Sequence, residues 1–231
     1  MHKAHLCCIK TFLLLVLFAG GVFGLCQPAI AQKKWKAAYY QKYNHKNYSK
    51  FKGFHKSINL NKVEYGLLNA AIFYETNAFR VKRGLPPLEY QENLEIMAYN
   101  HSLEMAKRDF FDHENPKSKK RKTIKDRAKL AGITNPNISE NITALAGQQF
   151  SSYLNLAQEL VYSWVSSPTH LKAIISEDVV ELGCGVVYFD GKWQKYKDVR
   201  KQGDGFWIAT QNFQLFTSVK SGTSKDKGPK K

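Results

Sequence analysis

Apolar residues recur every three or four positions along three stretches of the chain, with polar residues between them. This spacing places the apolar side chains on one face of an α-helix. It predicts helices that begin near Leu67 and end at Gly84, that contain Leu94 to Met105 and end near Asp109, and that run from about Phe150 to Ser166. A shorter helix is predicted from Thr123 to Gly132, because Thr123 and Asp126 resemble a capping box and glycine commonly follows a helix end.

The apolar period changes to two between Leu182 and Phe189, where Gly183 and Gly185 occupy one of the two faces. This pattern predicts a β-strand with a flat, glycine-bearing face. Residues 206–213 are the predicted hairpin partner, across a polar connection over residues 190–205. Helices early and an antiparallel hairpin late indicate a layered α/β domain in which helices cover a small sheet.

The amino end has the layout of a secretory signal peptide. Lys3 and Lys10 precede an apolar run from Thr11 to Leu25, and small residues surround Ile30 in Ala29-Ile30-Ala31. The apolar run is shorter than the ~20 residues of a spanning helix, so a retained membrane anchor is the weaker alternative. We expect cleavage after Ala31 and a protein that is secreted or held in the cell envelope.

Cysteine usage leaves no internal disulfide in the expected mature chain. Three of the four cysteines lie within residues 1–31, and only Cys184 remains beyond them. Stability must therefore come from an ordinary apolar core, for which about 200 residues suffice. Cys184 lies in an apolar run and is expected to be buried, with a reactive or intermolecular thiol as the alternative.

Basic residues are concentrated in three segments. The net charge is +16, and loss of Lys3 and Lys10 with the signal peptide lowers it to +14. Residues 32–59 contain no Asp or Glu and alternate eight lysines with seven aromatic residues; the other basic segments are residues 117–129 and the tail 218–231. Lysines among aromatic side chains can bind a polyanion by charge and stacking, which outside a cell means a surface polymer or lipid. The alternative is a solvated extension, and we expect the tail to be disordered.

Three short segments supply histidine or carboxylate side chains in otherwise apolar surroundings. They are Asp112-His113-Glu114-Asn115-Pro116, Ser139-Glu140-Asn141-Ile142 and Trp164-Val165-Ser166-Ser167-Pro168-Thr169-His170. Neutral imidazole nitrogens and carboxylate oxygens are ordinary ligands of borderline divalent cations. His113, Glu140 and His170 would therefore form a metal-capable or acid/base-capable cleft if the fold brought them together.

These segments belong to an ordered set that resembles the CAP superfamily, also called SCP-like. The set comprises Asn77-Ala78-Phe79-Arg80 with Gly84-Leu85-Pro86-Pro87-Leu88, then Phe110-Phe111-Asp112-His113, Asp126-Arg127 with Ala131-Gly132, Ser139-Glu140-Asn141-Ile142, Trp164 with Ser167 and His170, Leu182-Gly183-Cys184-Gly185, and Gln211-Asn212-Phe213. The resemblance spans residues 67–216. It implies a three-layer α-β-α sandwich with a small, largely antiparallel central sheet, placed here at residues 61–217 between a basic, aromatic-rich extension at 32–60 and the tail.

The resemblance also implies a central cleft with two histidines and two acids that often holds a divalent metal. His113, Glu140 and His170 match this pattern, His170 in the form typical of bacterial members. Ser167 stands where animal and plant members have the second acid, so one carboxylate is missing here. The remaining three groups would bind Zn²⁺, with water as a fourth ligand.

Each candidate residue also has a plain structural interpretation. His113 would suit the negative end of the second helix, Glu140 would accept hydrogen bonds from a loop, and His170 would be an exposed residue of the next helix. His101, on an apolar helix stripe, is expected to be a satisfied, partly buried histidine. Trp164, Phe110, Phe111 and Phe213 are expected core residues.

No complete catalytic motif is present. A serine nucleophile would have to come from Ser139 or Ser167, with His113 or His170 as the base, and nothing in the local sequence favours this. We therefore expect a non-enzymatic, exported, monomeric module that binds a divalent metal, a small ligand or a lipid, without specific nucleic-acid binding. The alternatives are a metal-assisted hydrolase with Glu140 as base or ligand, and a surface-polymer or lipid binder that works through residues 32–59.

Overall fold

The computed structural model describes residues 35–147, 149–191, 193, 205–220 and 224–229. Residues 32–231 form one compact unit. The predicted signal peptide and its cleavage site lie outside the described residues. Among the helices that the structure describes, none combines the length and apolar composition needed to cross a membrane.

The described chain contains six α-helices and four β-strands. The helices are α1 (Tyr39–Lys42), α2 (Tyr65–Lys82), α3 (Glu92–Arg108), α4 (Ile124–Ala131), α5 (Tyr153–Val165) and α6 (Pro168–Ile174), with short 3₁₀ turns at Tyr48–Lys50, Lys52–His55, Leu60–Lys62 and Lys119–Arg121. The strands are β1 (Glu89–Tyr90), β2 (Ile138–Ala146), β3 (Glu181–Phe189) and β4 (Phe206–Gln214). The four predicted helices correspond to α2, α3, α4 and α5, and the predicted capping box of Thr123 and Asp126 is present at α4.

The strands form one sheet in the order β1-β3-β4-β2. β1 pairs with β3 in parallel, while β3 with β4 and β4 with β2 are antiparallel. Side chains of β3 and β4 alternate between an apolar cluster shared with α2 and α5 and a second cluster shared with the end of α3. Helices therefore cover both faces, which confirms the three-layer sandwich with a small, largely antiparallel sheet.

The two predicted strand glycines let α3 approach the sheet closely. A Cβ atom added at Gly183 would overlap the α3 backbone at Leu94 and Glu95, and one at Gly185 would overlap Tyr99. Only a strand face without side chains leaves room for a helix backbone at this distance.

Strand β2, which contains Glu140, is absent from the sequence prediction. In the structure β2 pairs along its whole length with β4, from Ile138 opposite Gln214 to Ala146 opposite Phe206. β3 and β4 are antiparallel neighbours as predicted. The polar connection between them lies largely outside the described residues.

The aromatic residues of the N-terminal segment, residues 35–60, do not form a solvated extension. Trp35, Phe51 and Phe54 are buried in the cluster that α2 and α5 share. Trp35 packs edge-on against Tyr74 of α2 at a centroid distance of 5.9 Å. Lysines at positions 36, 42, 46, 50 and 52 stay exposed. This segment therefore completes the core with its aromatic rings and presents its charges to solvent.

The predicted disordered tail is also wrong for residues 218–220 and 224–229. Lys220 forms an isolated antiparallel bridge with Ile133. The Lys225 backbone amide donates to the Leu130 carbonyl at 2.9 Å, and Arg121 forms an ion pair with Asp226. Together with a hydrogen bond from the Asn100 side chain of α3 to the Lys227 carbonyl at 2.9 Å, these contacts hold the tail against α3 and α4.

Several core predictions are confirmed. Cys184 is a free, buried cysteine, and burial raises the pKa of its thiol. Trp164, Phe110 and Phe213 are fully buried, while Phe111 is only partly buried against the cluster at the end of α3.

Candidate functional site

Two consecutive residues of strand β2 contact the two sides of the candidate cleft. Successive side chains of a strand point to opposite faces, so Glu140 faces the α3–α4 layer and Asn141 faces α5 and α6. Glu140 bonds to His113. The Asn141 side chain donates to the backbone carbonyl of His170 at 3.0 Å. The edge strand therefore brings the two predicted histidine segments to one place.

Glu140 forms a buried ion pair with Arg127 of α4. The Arg127 Nη2 atom lies 2.9 and 2.8 Å from the two carboxylate oxygens, and both side chains are almost completely buried. The other terminal nitrogen, Nη1, donates to the carbonyl oxygen of His113 at 3.0 Å. Oriented to satisfy its neighbours, the Asn212 amide adds a hydrogen bond to Glu140 Oε2 at 3.1 Å. Glu140 is thus held on several sides before any ligand is considered.

His113 is oriented by Glu140. Its Nδ1 atom lies 3.0 Å from Glu140 Oε1, and about half of its side chain is exposed. Because a carboxylate can only accept, Nδ1 carries the proton and the lone pair of the neutral ring is on Nε2. The hydrogen bond with Glu140 raises the pKa of His113. His113 therefore does not cap α3, which ends at the left-handed Asp109.

His101 of α3 is a third imidazole beside Glu140. It is fully buried. Its Nε2 atom lies 3.0 Å from the Asp112 carbonyl oxygen and 3.6 Å from Glu140 Oε1. Its Nδ1 atom has no hydrogen-bond partner among the described residues. Burial lowers the pKa of His101 to about 4, so the ring is neutral at pH 7. His101 is more deeply buried and less fully satisfied than the sequence predicts.

His170 lies on α6, which begins at Pro168 immediately after the predicted helix break. Its side chain is partly buried, and its pKa is lowered by burial and by the nearby His113. His113, Glu140 and His170 line a cavity of about 360 Å³, together with Ser139, Thr169 and Lys172. The structure therefore brings the three predicted groups to one cavity, whereas Ser167 is not among the lining residues.

These residues do not fit a zinc site with three protein ligands. Both oxygens of Glu140 already accept from Arg127, and Oε1 also bonds to His113. Within the part of the chain that the structure describes, no group of three or more His, Cys, Asp or Glu side chains could hold a metal ion. Among the described residues that line the cavity, the imidazoles of His113 and His170 remain as candidate donors, with Glu140 as the carboxylate that orients His113.

Glu140 is also poorly suited to act as a general base. Burial opposes its ionisation, but His101, the hydrogen bond from His113 and the charge of Arg127 together hold the pKa of Glu140 below its usual value. An efficient base at neutral pH needs a pKa near 7 and an accessible lone pair. Glu140 has neither, so its role in this geometry is to position His113.

Sequence reasoning assigned no role to Arg127, Asn141 or Lys172. Arg127 and Asn141 stand within the motifs that carry the family resemblance, but no periodicity shows that Arg127 points inward from α4 to Glu140. The capping box fixes where α4 starts, and hence the face on which Arg127 lies. That start is the one sequence signal that would have identified its direction.

Comparison with known sequences identifies one family. The sequence profile of the cysteine-rich secretory protein family, CAP, matches residues 73–213. The "Uncharacterized membrane protein YlbC" of Bacillus subtilis (strain 168) is 32% identical over 111 residues, which are 48% of this chain and 29% of that protein. The "Uncharacterized protein YkwD" of the same strain is 32% identical over 118 residues, 51% of this chain and 42% of that protein. The matched region thus spans less than half of either relative.

Parts of two solved structures are similar to this chain. An extracellular protein containing a SCP domain from Bacillus anthracis str. Ames has 26% identity and a TM-score of 0.46, covering 66% of this chain and 41% of that chain. A cysteine-rich secretory protein from Staphylococcus aureus, SAV1118, has 14% identity and a TM-score of 0.42, covering 65% and 39%. The family profile alone spans more than half of the 231 residues. The chain therefore belongs to the cysteine-rich secretory protein family, CAP.

Proposed function

We propose that this CAP protein is an exported binding module whose cleft takes a small ligand or a divalent ion through His113 and His170, without covalent catalysis. The observation that carries the proposal is the state of Glu140. This carboxylate is buried and bonded to Arg127 and His113, so it orients one imidazole and is not itself open to a ligand. The two histidines are the groups with free ring nitrogens at the cavity of about 360 Å³.

The size and lining of the cavity support a small polar ligand. Pockets for small molecules usually measure about 300–1,000 Å³ and combine apolar walls with a few polar groups. Here Ala173, Val179 and Leu215 supply apolar surface, and Ser139 and Thr169 supply hydroxyl groups. If a divalent ion binds, two imidazoles hold it, and water completes its coordination.

Action outside the cytoplasm is proposed from the amino end of the sequence. Lys3 and Lys10 precede an apolar run that ends before Ala29-Ile30-Ala31, the pattern of an exported chain cleaved after Ala31. Mass spectrometry of the mature protein from a secreting host tests this directly. A mature amino terminus at Gln32 is expected, and an intact Met1 in the exported protein would contradict the proposal.

Calorimetric titration of Zn²⁺ into metal-stripped protein tests the cleft. We expect His113→Ala and His170→Ala each to remove most of the binding, because each deletes one of two ligands. Glu140→Gln should weaken binding by about 10–100-fold through loss of orientation at His113. The matched control is His55→Ala, since His55 is exposed and its ring bonds to the Ser49 carbonyl, away from the cleft. Binding that survives in both cleft variants would overturn the role of the two histidines.

A metal-assisted hydrolase is the alternative activity. It predicts turnover of a peptide, ester or glycan that disappears with chelator and in the His170→Ala variant. The buried, paired Glu140 provides no free base for it. Chelator-sensitive turnover in a broad substrate screen would favour the hydrolase over the binding module.

A second candidate function is adhesion to an anionic surface polymer or lipid through the exposed lysines of the N-terminal segment. Most aromatic rings of this segment pack into or against the core, so the attraction would come mainly from charge and should weaken with salt. Lys42, Lys50 and Lys52 replaced together by Glu should abolish retention on anionic vesicles at low salt. The matched control replaces Lys82, Lys107 and Lys225, which are exposed elsewhere. Equal loss in both triple variants would show that net charge, not this surface, is responsible.

A further inference from the structure

A second cavity, of about 440 Å³, lies between the N-terminal segment, α2 and β1. One wall comes from residues 40–46, and the others come from α2 and from residues 87–90. We call it the tyrosine pocket, because Tyr40, Tyr43, Tyr74 and Tyr90 all line it. The family profile begins at residue 73, so the wall built by residues 40–46 lies outside the part of the chain that the family shares.

The walls of the tyrosine pocket are fixed by internal contacts. The ring of Tyr40 stacks on that of Tyr90 with centroids 3.5 Å apart and planes 7° apart. The Tyr40 hydroxyl donates to the buried Glu95 carboxylate at 3.1 Å. Asn77 donates to the Leu88 carbonyl at 3.0 Å and accepts from the Leu88 amide at 2.7 Å, which ties the loop before β1 to α2. A ligand would therefore meet a preformed site.

The rim of the pocket combines hydrogen-bonding groups without a net charge. Gln41, Lys46 and Glu89 are exposed, and their side chains bond to no other described residue. They offer an amide, an ammonium and a carboxylate, so both donors and acceptors are present. The opposite charges of Lys46 and Glu89 offset each other. This rim favours a neutral ligand with many polar groups over an ion.

The arrangement of the rings argues against a flat aromatic ligand. Such a ligand binds best when it can stack in parallel on an open ring face. In both parallel ring pairs near the pocket the facing sides of the rings are covered: Tyr40 is stacked on Tyr90, and Tyr74 is stacked on Tyr48 with centroids 5.4 Å apart. Tyr43 is a partly exposed ring outside these pairs. It packs edge-on against Phe51 at 5.5 Å, and the ammonium of the exposed Lys42 lies over it, 5.9 Å from the ring centroid.

We propose that the tyrosine pocket is a saccharide-binding site, separate from the histidine cleft. The apolar C–H face of one pyranose ring packs against Tyr43, and the hydroxyl groups around that ring hydrogen-bond to Gln41, Lys46 and Glu89. A pyranose matches the pocket in each respect that the structure shows: it is neutral, it has an apolar face, and it carries donors and acceptors around its edge. A glycan longer than one ring can extend into solvent past the exposed rim.

Titration of the protein with chitotetraose, cellotetraose and maltotetraose, followed by NMR and calorimetry, tests the site. We expect saturable binding of at least one of the three with a millimolar or lower Kd. Tyr43→Leu, which removes the ring but keeps apolar volume, and Glu89→Gln should each weaken it by about tenfold or more. Tyr43→Phe should retain binding. Lys52→Ala, on the same segment outside the pocket, and His170→Ala, in the cleft, should leave the Kd unchanged.

Each contrary outcome has a clear meaning. No saturable binding of any of the three oligosaccharides overturns the proposal. Binding that Tyr43→Leu and Glu89→Gln leave intact also overturns it, because the sugar then occupies another place. Sensitivity to His170→Ala in place of Tyr43→Leu would assign the saccharide to the histidine cleft. Circular dichroism of each variant guards against mistaking loss of folding for loss of binding.

Discussion

Glu140 keeps a negative charge inside the protein because its oxygens are bonded to Arg127 and His113. Removing one partner of a buried pair leaves the other charge buried without compensation, which usually costs about 3–5 kcal/mol. We therefore expect Glu140→Ala to lower the free energy of unfolding by about that amount in urea denaturation. Glu177→Ala, at an exposed position, should change it by about 0.5 kcal/mol or less. Similar values for both variants would show that the buried pair contributes no net stability.

His101 makes stability depend on pH. Its pKa is about 4 in the folded protein and about 6.5 when unfolded, so the unfolded chain binds the extra proton first as the pH falls. The contribution of His101 to the free energy of unfolding is fully present above pH 6.5. It is lost at up to about 1.4 kcal/mol per pH unit as the pH falls towards 4. The raised pKa of His113 adds no slope in that window, because both states are then protonated, whereas the lowered pKa of His170 adds a slope of the same sign.

Unfolding by urea at a series of pH values between 7 and about 4.5 measures this slope. Glu140, Arg127 and His113 face the His101 ring, and all three are present in both the wild type and the His101→Gln variant. His101→Gln should make the curve less steep, with the part due to His170 remaining, whatever its effect on stability at pH 7. An equally steep decline in that variant would assign the acid sensitivity to other groups.

At the residue scale the sequence identified the candidate cleft residues, but it did not identify the side chains that bond to them. His113, Glu140 and His170 could be named because imidazole and carboxylate groups in apolar surroundings are uncommon, and the structure places all three at one cavity. Their partners could not be named in the same way. Arg127 reaches Glu140 from a different element, and neither spacing nor composition shows which charged side chain of a basic segment turns inward.

At the element scale the fit of α3 on β3 depends on two glycines. Gly185→Ala would drive a Cβ into the α3 backbone at Ala98 and Tyr99, which cannot move aside as a flexible side chain can. We expect a loss of at least about 1–3 kcal/mol in unfolding free energy. Gly66→Ala in α2 is the matched control, since an added Cβ there meets nothing within 4 Å. It should be neutral or stabilise the helix by about 0.5–1 kcal/mol. A Gly185→Ala protein as stable as the wild type would contradict this account of the packing.

The elements differ in how clearly the sequence pattern predicts them. Helices α2, α3 and α5 show a clear period because one face of each is buried. β2 was missed because its hydrogen-bonding partner, β4, lies about 70 residues further along the chain, and because partly buried residues follow one another along the strand without strict alternation. Strand pairing over such a distance is set by the tertiary fold, which local patterns do not reveal.

At the scale of the whole molecule the N-terminal segment is part of the core. Phe54 is fully buried between α2 and α5, so Phe54→Ala should lower the unfolding free energy by about 3–5 kcal/mol. Tyr162→Ala, at a side chain that is 68% exposed, is the control and should change stability little. Thermal unfolding monitored by circular dichroism separates the two. A Phe54→Ala protein with an unchanged melting temperature would instead support the solvated extension that the composition suggests.

The two ends of the described chain lie on opposite layers. Trp35 is packed on the α2–α5 side, whereas residues 224–229 run along α3 and α4, with Pro229 buried. An exopeptidase needs several residues of free backbone to begin digestion, and neither end offers them within these stretches. Trimming from the carboxyl end should therefore halt near Pro229, and trimming from the amino end near Trp35. Affinity tags or fluorescent reporters joined at either of these residues will need a spacer of their own, because Trp35 and Pro229 are both buried.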